Sequence, residues 1–228
     1  MIEMQNVYKT YPNGVKAING ISIKINQGEF AYIVGPSGAG KSTFIKMMYR
    51  EEKPSSGNII VNGANVAKIK DSKVPIFRRH IGVVFQDFKL LPKLTVYENI
   101  AFALEVIEQS PEEIKKRVLE VLELVKLKGK MDSFPDELSG GEQQRVSIAR
   151  SIVNSPKVVI ADEPTGNLDP ETSREIMDIF EEINKRGTTI LMATHNREIV
   201  NTIRKRVIAI ENGNVVRDEV RGEYGYEG

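Results

Sequence analysis

Residues 29–49 read EFAYIVGPSGAGKSTFIKMMY, and this stretch is the part of the sequence that is most informative about the fold. Phe30–Val34 form a short apolar run, which is typical of a buried strand. Gly35–Ser42 then match the phosphate-loop pattern G-x-x-x-x-G-K-[ST], and the residues that follow suit a helix. A strand, a phosphate loop and a helix in this order predict an α/β chain that binds a nucleotide through its phosphates.

The loop carries the residue types that phosphate binding needs. Glycines let successive backbone N–H groups converge on one phosphate group. Lys41 would add a cation beside the β- and γ-phosphates, and Ser42 would offer a hydroxyl to Mg²⁺. The following helix directs its positive N-terminus at the same anion. We therefore expect the nucleotide phosphates on Gly35, Pro36, Ser37, Gly38, Ala39, Gly40, Lys41, Ser42 and Thr43.

Two acids follow a second apolar run. Val158–Ala161 predict a buried strand, and Asp162 and Glu163 come directly after it. Ligands of open α/β sheets bind at the carboxyl ends of the strands. Asp162 is therefore a candidate Mg²⁺ partner, through water, and Glu163 a candidate general base for an attacking water.

The order of the remaining elements predicts the architecture. Strand and helix patterns alternate along most of the chain, which favours a largely parallel sheet. The two apolar runs before residue 26 predict an added antiparallel β part, and residues 88–136 predict an inserted helical part. We expect one domain, 1–228, in which 1–87 and 137–228 form the nucleotide-binding core.

A second glycine cluster makes the pattern specific. Leu138–Glu142 read LSGGE and precede a predicted helix from Glu142 to Val153, which makes another helix N-terminus suited to anions. Together with the phosphate loop and Asp162-Glu163, in that order, this cluster resembles the signature of the nucleotide-binding subunits of ABC transporters. The resemblance covers essentially the whole chain. It implies a P-loop ATPase core, ATP hydrolysis to ADP and phosphate, and the cofactors ATP and Mg²⁺.

Further site residues follow only from this resemblance. Gln86 is similar to the glutamine that senses Mg²⁺ and the attacking water, and His195 is similar to the switch histidine that contacts the γ-phosphate. Tyr11 either stacks on adenine, as in the family, or packs on its own hairpin. The implied catalytic set is Lys41, Gln86, Glu163 and His195, and the implied metal set is Ser42, Gln86 and Asp162.

The resemblance also implies a dimer. Two copies would meet head to tail, so that each ATP lies between the phosphate loop of one copy and the signature of the other. Asn167–Asp169 would cross that interface. The residues that would reach the partner's nucleotide are Ser139, Gly140, Gly141, Glu142 and Asp169.

Composition excludes several other classes of protein. Of 228 residues 40% are hydrophobic and 28% charged, which excludes a disordered or collagen-like chain. The formal charge is only +1, so a whole-molecule charge for nucleic acid is absent, although a local basic patch remains open. There is no cysteine, and no apolar stretch approaches the roughly 18 residues that span a bilayer. The first residues, MIEMQ, also lack the pattern of a signal peptide.

The resemblance therefore implies attachment to the inner face of the plasma membrane through an integral membrane subunit. Residues 87–95 are unusually apolar for a loop, and they either bind that subunit's coupling helix or pack inside this chain. Residues 85–91 and 49–52 resemble the cell-division branch of the family. Lipoprotein-release and macrolide-efflux members share much of this pattern. A chromosome-maintenance ATPase would place a long coiled coil between Lys41 and Ser139, and the spacing is too short for one.

Overall fold

The computed structural model describes residues 1–225, so the last three residues of the expected core lie outside the described part. The strands are β1 Ile2–Thr10, β2 Lys16–Ile25, β3 Phe30–Val34, β4 Ser56–Val61, β5 Ala64–Asn65, β6 Ile81–Val84, β7 Val158–Asp162, β8 Thr189–Ala193, β9 Arg206–Glu211 and β10 Asn214–Glu219. The helices are α1 Lys41–Met48, α2 Val74–Arg78, α3 Val96–Glu105, α4 Pro111–Leu124, α5 Gly140–Ile152, α6 Pro170–Lys185 and α7 Arg197–Ile203.

The larger sheet has the order β10-β9-β3-β8-β7-β6. Its strands β9, β3, β8, β7 and β6 pair in parallel, and β10 joins β9 as an antiparallel edge hairpin. The predicted largely parallel sheet is therefore confirmed. Because the parallel strands share one direction, their carboxyl ends lie at one edge, where Gly35, Gln86 and Glu163 follow β3, β6 and β7.

The smaller sheet has the order β2-β1-β4-β5 and is antiparallel throughout, which confirms the predicted β part. Its buried residues share a core cluster with α1 and with one face of the larger sheet. The period of two along β3 shows how this works: Ala31 and Ile33 face that core, whereas Phe30, Tyr32 and Val34 face the other one. Helix α1 is thereby fixed between two sheets.

The second core lies on the opposite face of the larger sheet. It contains buried residues of α3, α4, α5, α6 and α7. The predicted helical part, residues 88–136, contains the two α-helices α3 and α4, and α4 is capped by Ser110, whose side chain accepts a hydrogen bond from the Glu113 amide. Helix α5 begins two residues before the predicted Glu142, because Ser139 caps it.

Two short helices, α2 and α7, carry too few turns to show a helical period, and sequence analysis assigned neither. Residues 1–225 contain no helix with the length and apolarity required to cross a membrane.

Candidate nucleotide-binding and hydrolysis site

The phosphate loop joins β3 to α1, as predicted, and two of its glycines are required by space as well as by conformation. Gly35 has φ 149° and Gly40 has φ 107°. A Cβ atom on Gly35 would lie 2.1 Å from the Ile210 carbonyl oxygen, and one on Gly40 would lie 2.3 Å from the Ala17 carbonyl oxygen. The loop backbone is thus packed against β9 and β2, and a side chain at either glycine would displace it.

Lys41 folds back over this loop. Its Nζ donates to the carbonyl oxygens of Gly35 and Pro36 at 2.9 and 3.0 Å. Ser42, in the first turn of α1, is exposed, so its hydroxyl is accessible at the helix N-terminus. The structure therefore brings the predicted cation, hydroxyl and helix end together at one loop.

Tyr11 lies beside the same loop. Its hydroxyl is 3.1 Å from the Thr43 hydroxyl, and the Lys9 ammonium lies 4.8 Å from the centre of its ring. Tyr11 therefore contacts α1 beside the phosphate loop as well as its own hairpin, and its stacking on adenine stays a prediction.

Glu163 and His195 are brought together by adjacent parallel strands. Asp162 is the last residue of β7 and pairs with Ala193, the last residue of β8. The Glu163 amide donates to the Ala193 carbonyl oxygen. Glu163 Oε2 lies 2.7 Å from His195 Nδ1 and also accepts from the His195 amide at 3.2 Å. The carboxylate and the imidazole are therefore held as a pair.

The backbone at Glu163 is unusual. Its φ is 49°, in the left-handed region that non-glycine residues rarely adopt. Strain of this kind persists where the surrounding structure over-determines it, and it concentrates at functional sites. The turn directs the chain from β7 towards His195 immediately after Asp162.

Burial raises the pKa of Asp162 above its ordinary value, and the charge of Glu163 raises it further. Lys46 and Lys41 act in the opposite direction. Two neighbouring carboxylates, one of them largely buried, form a site at which a bound cation would relieve repulsion.

Gln86 follows β6 and reaches the loop after Glu163. Its Nε2 donates to Asn167 Oδ1 at 3.2 Å, and a Cβ atom on Gly166 would lie 3.0 Å from that same Nε2. Asn167 belongs to the segment expected at the dimer interface, but no local sequence pattern predicts its contact with Gln86. The two residues lie far apart in sequence and meet only because β6 and β7 are neighbours in the sheet.

The signature begins α5. Ser139 accepts a hydrogen bond from the Glu142 amide through its side chain, and Glu142 Oε2 accepts from the Ser139 amide and hydroxyl at 2.9 and 3.0 Å. This reciprocal capping box satisfies the first turn of the helix, and the Ser139 amide holds the pKa of Glu142 below its usual range. Ser139 and Gly140 are both exposed.

The start of α5 packs against the segment predicted to cross an interface. A Cβ atom on Gly140 would lie 3.5 Å from the Leu168 side chain, and one on Gly141 would lie 2.4 Å from the Thr172 methyl group. Asp169 caps α6 by accepting from the Thr172 amide at 2.9 Å, and hydrogen bonds from Thr172 lower its pKa. Among the described residues, no hydrogen bond joins Ser139 to the phosphate loop of the same chain.

Gln144 is a site residue that sequence analysis missed. It is fully buried, and its Nε2 donates to the Pro164 carbonyl oxygen at 2.7 Å. This bond ties the signature helix to the turn that carries Glu163. Nothing in the polar run Glu142–Gln144 distinguishes Gln144 in advance, because only the fold decides which face of α5 is buried.

A groove of about 400 Å³ lies between the end of β6, the segment after Gln86, and α3. Leu91 lines it, whereas Leu90 packs against the core, so part of residues 87–95 packs inside this chain and binding of a coupling helix by the rest stays a prediction. Its larger apolar residues are Ile81, Val83, Phe85, Leu91, Phe102, Val106 and Ile107, and the basic residues Arg78, Arg79 and Arg150 also line it.

Comparisons with known proteins agree with this geometry. Residues 18–166 match the family model described as ABC transporter. The chain is 73% identical over 225 residues to the cell division ATP-binding protein FtsE of Bacillus subtilis (strain 168), covering 99% of each sequence. It is 44% identical over 215 residues to FtsE of Escherichia coli (strain K12), covering 94% of this chain and 97% of the relative.

A solved structure extends the comparison to an assembly. It is described as a dimeric ATP-binding cassette in a post-hydrolysis state, bound to ADP and Pi. The match has a TM-score of 0.88 and 36% sequence identity, and it covers 98% of this chain and all of the other. Together, the family match, these relatives and the shared fold show that the chain belongs to the ABC transporter family, in the branch that contains the FtsE cell-division ATP-binding proteins.

Proposed function

We propose that this chain is the ATP-hydrolysing subunit of a membrane complex that acts in bacterial cell division. The observation that carries the proposal is the contact between Glu163 and His195, beside the partly buried Asp162 and at the strand edge that also carries the phosphate loop. A carboxylate held by an imidazole at a phosphate site is suited to activate a water for attack on a terminal phosphate. The family membership and the FtsE relatives support the same reaction.

Each part of ATP has a matching part of the site. Tyr11 would stack on adenine, and Lys41 would neutralise the β- and γ-phosphates together with the first amides of α1. Glu163 would accept the proton of the attacking water, and His195 would hold Glu163 in place through its ring and its amide. Gln86 would orient the same water from the other side.

The donor set near Asp162 fits Mg²⁺. Among residues 1–225 no cluster of three or more His, Asp or Glu side chains suits a metal, so a cation here would rely on mixed oxygen donors. Ser42, Gln86 and Asp162 supply a hydroxyl, an amide and a carboxylate oxygen, and Mg²⁺ prefers such ligands together with water and phosphate. Bound there, Mg²⁺ would neutralise charge on the phosphates.

The second half of the site would come from another copy of the chain. Ser139 and Gly140 are exposed at an α5 N-terminus that makes no hydrogen bond to its own phosphate loop among the described residues. Asp169 lies at the neighbouring α6 N-terminus. In a head-to-tail homodimer, Ser139, Gly140, Gly141, Glu142 and Asp169 would meet the partner's ATP, and the dimeric relative of known structure supports this arrangement.

The membrane partner would bind the groove beside Gln86. Phe102 and Val106 are each close to half exposed there, and such exposed apolar side chains suit an amphipathic coupling helix. We propose FtsX as this partner, and a position of the subunit at the inner face of the plasma membrane, because the relatives are FtsE proteins. Affinity capture from membranes tests this: recovery of a solute permease in place of FtsX would contradict the cell-division role.

We also treat residues 1–228 as one ABC ATPase domain, with 88–136 as its helical signature subdomain. The helices α3 and α4 of that segment pack against each other, which supports a helical unit, and α5, which these bounds assign to the core part, packs against both of them.

Replacing Glu163 with glutamine tests the proposal directly. Glutamine keeps the size of the side chain but removes the proton acceptor, so ATP should still close the dimer and hydrolysis should fall by at least about a hundredfold. Dimer formation is measured by size-exclusion chromatography with light scattering, and hydrolysis by phosphate release. Glu112→Gln, an exposed position on α4, should behave like the unmodified protein. Undiminished steady-state hydrolysis in Glu163→Gln would contradict the catalytic role.

A further inference from the structure

Two consecutive residues after Gln86 adopt left-handed backbone conformations. Phe88 has φ 57° and Lys89 has φ 51°. Neither is a glycine, and a left-handed residue with a Cβ atom costs on the order of 1 kcal/mol or more. Two such residues in a row need an external group that holds them, because the chain would otherwise relax to a more ordinary turn.

Arg150 is that group. It lies in the last turn of α5, and its Nη1 donates to the Lys89 carbonyl oxygen at 2.7 Å. Its Nη2 donates to the Phe88 carbonyl oxygen at 3.0 Å. The planar guanidinium therefore donates to both carbonyl oxygens from two nitrogens held in one rigid plane, a fixed arrangement that a lysine ammonium does not have. Arg150 itself is partly buried, and this burial lowers the pKa of its guanidinium.

The segment is fixed at its two ends by other contacts. Gln86 is held at Asn167, and the far end is held by Asn99, a fully buried residue of α3. The Asn99 side chain accepts from the Leu91 amide and donates to the carbonyl oxygens of Leu91 and Leu94. Between these ends, Arg150 provides the hydrogen bonds from α5 to the backbone of the described segment.

We propose that Arg150 is a positioning residue for ATP hydrolysis: by fixing the backbone of Phe88 and Lys89 to the signature helix, it sets where Gln86 stands in the phosphate site. This inference rests on the proposed function for its catalytic consequence. Because Ser139 caps α5 and Arg150 lies in the last turn of the same helix, α5 links the signature to the loop that follows Gln86. Leu91 and Arg150 both line the groove, so a partner seated there would contact the same link.

The test is a double-mutant cycle on the purified membrane complex. Arg150→Met keeps the aliphatic stem and removes all donors, and Gln86→Ala removes the group that Arg150 is proposed to place. We expect each single variant to lower kcat about tenfold, with KM for ATP changed less than about twofold, because the phosphate loop is untouched. The double variant should lose little beyond the worse single variant, because the two residues act in series.

Two further variants separate positioning from general stability. Arg150→Lys keeps the charge but not the fork, so it should recover part of the loss in kcat. Arg145→Met is the matched control: Arg145 also lies on α5, donates to the Val125 carbonyl oxygen and pairs with Glu175, but does not reach the segment after Gln86. It should keep kcat near the unmodified value.

Hydrogen–deuterium exchange on the isolated chain provides a readout that needs no hydrolysis. Peptides covering residues 86–95 should exchange at least about threefold faster in Arg150→Met than in the unmodified chain. Their exchange rate in Arg145→Met should equal that of the unmodified chain. Unchanged exchange, or fully additive losses of kcat in the cycle, would overturn the inference. Absence of ATP hydrolysis in the unmodified complex would instead refute the proposed function. The exchange result would still show whether Arg150 holds the backbone of residues 86–95.

Discussion

Asp162 is a candidate Mg²⁺ partner whose charge makes folding less favourable. It is largely buried beside Glu163, and both burial and that charge raise its pKa. A carboxyl group whose pKa is higher in the folded state than its ordinary value of 3.8 makes folding less favourable once both states are ionised. Its unfavourable contribution therefore appears as the pH rises from 3.8 through the raised pKa and is absent below that range.

We predict that Asp162→Asn abolishes hydrolysis but raises the melting temperature at pH 7. Asparagine removes the buried charge at constant size, and about 1 kcal/mol would raise the melting temperature by roughly 2–4 °C in a domain of this size. The gain should shrink as the pH falls towards 3.8. Differential scanning calorimetry between pH 4 and 8 measures it.

Asp169 is the natural control for this prediction. Its pKa is lowered by hydrogen bonds from Thr172, so its contribution has the opposite sign: it stabilises above its ordinary pKa and is lost on acidification. Asp169→Asn should therefore give no gain at pH 7. A melting temperature of Asp162→Asn at or below that of the unmodified chain would show that burial of this charge is not destabilising.

At the scale of elements, the start of α5 serves two purposes at once. Glu142 accepts from the amide and the hydroxyl of Ser139, and this arrangement orders the first turn that presents the signature. The carboxylate also lies at the positive end of the helix, where negative charge is favoured. Local capping thus orders the surface that is proposed to meet a second copy.

We predict that Glu142→Ala lowers the free energy of unfolding by about 1 kcal/mol, because the Ser139 amide and hydroxyl lose their acceptor. Glu142→Gln should lose only a fraction of this, since its amide oxygen still accepts from the Ser139 amide. Urea unfolding at constant m-value measures both. Glu112→Ala, in the first turn of α4, is the reference, because the Glu112 side chain takes no part in the Ser110 cap. Equal losses in Glu142→Ala and Glu142→Gln would argue against the capping explanation.

At the scale of the whole molecule, the two glycine-rich helix ends belong to different parts of the fold. The phosphate loop lies on the core shared with the antiparallel sheet, whereas α5 packs in the second core on the opposite face of the larger sheet. A complete site would therefore need a phosphate loop from one copy and a signature from the other. In such a dimer, an intact phosphate loop of one copy can combine with an intact signature of the other.

We predict that two inactive variants restore activity when mixed. Lys41→Ala disables the phosphate loop, and Gly140→Asp adds a carboxylate to the signature without a clash, because its Cβ atom would lie 3.5 Å from Leu168. A mixed dimer contains one intact site, so a 1:1 mixture should recover about a quarter of the unmodified rate of phosphate release. No recovery, despite mixed dimers demonstrated by tag exchange, would contradict a site that is shared between two copies and works independently of the second site.

Two features that arise within a few residues were predictable from the sequence alone: the phosphate loop Gly35–Ser42 and the acidic strand end. These features depend on local backbone freedom and on short-range interactions. Each therefore appears in the sequence as a recognisable pattern of neighbouring residue types. Together with the Leu138–Glu142 cluster, these motifs carry the family resemblance, which in turn led to Gln86 and His195. The buried sides of α3 and α5, by contrast, left no local signal at Asn99, Gln144 or Arg150.

Contacts between distant residues follow instead from how the strands and helices pack. Parallel pairing of β7 with β8 places His195 on Glu163, and the order β7-β6 places Gln86 on Asn167. Helix α5 brings Arg150 to a loop about sixty residues earlier in the chain. Strand order and helix packing are set by the burial of whole faces, to which every element contributes, so no short stretch of sequence contains them.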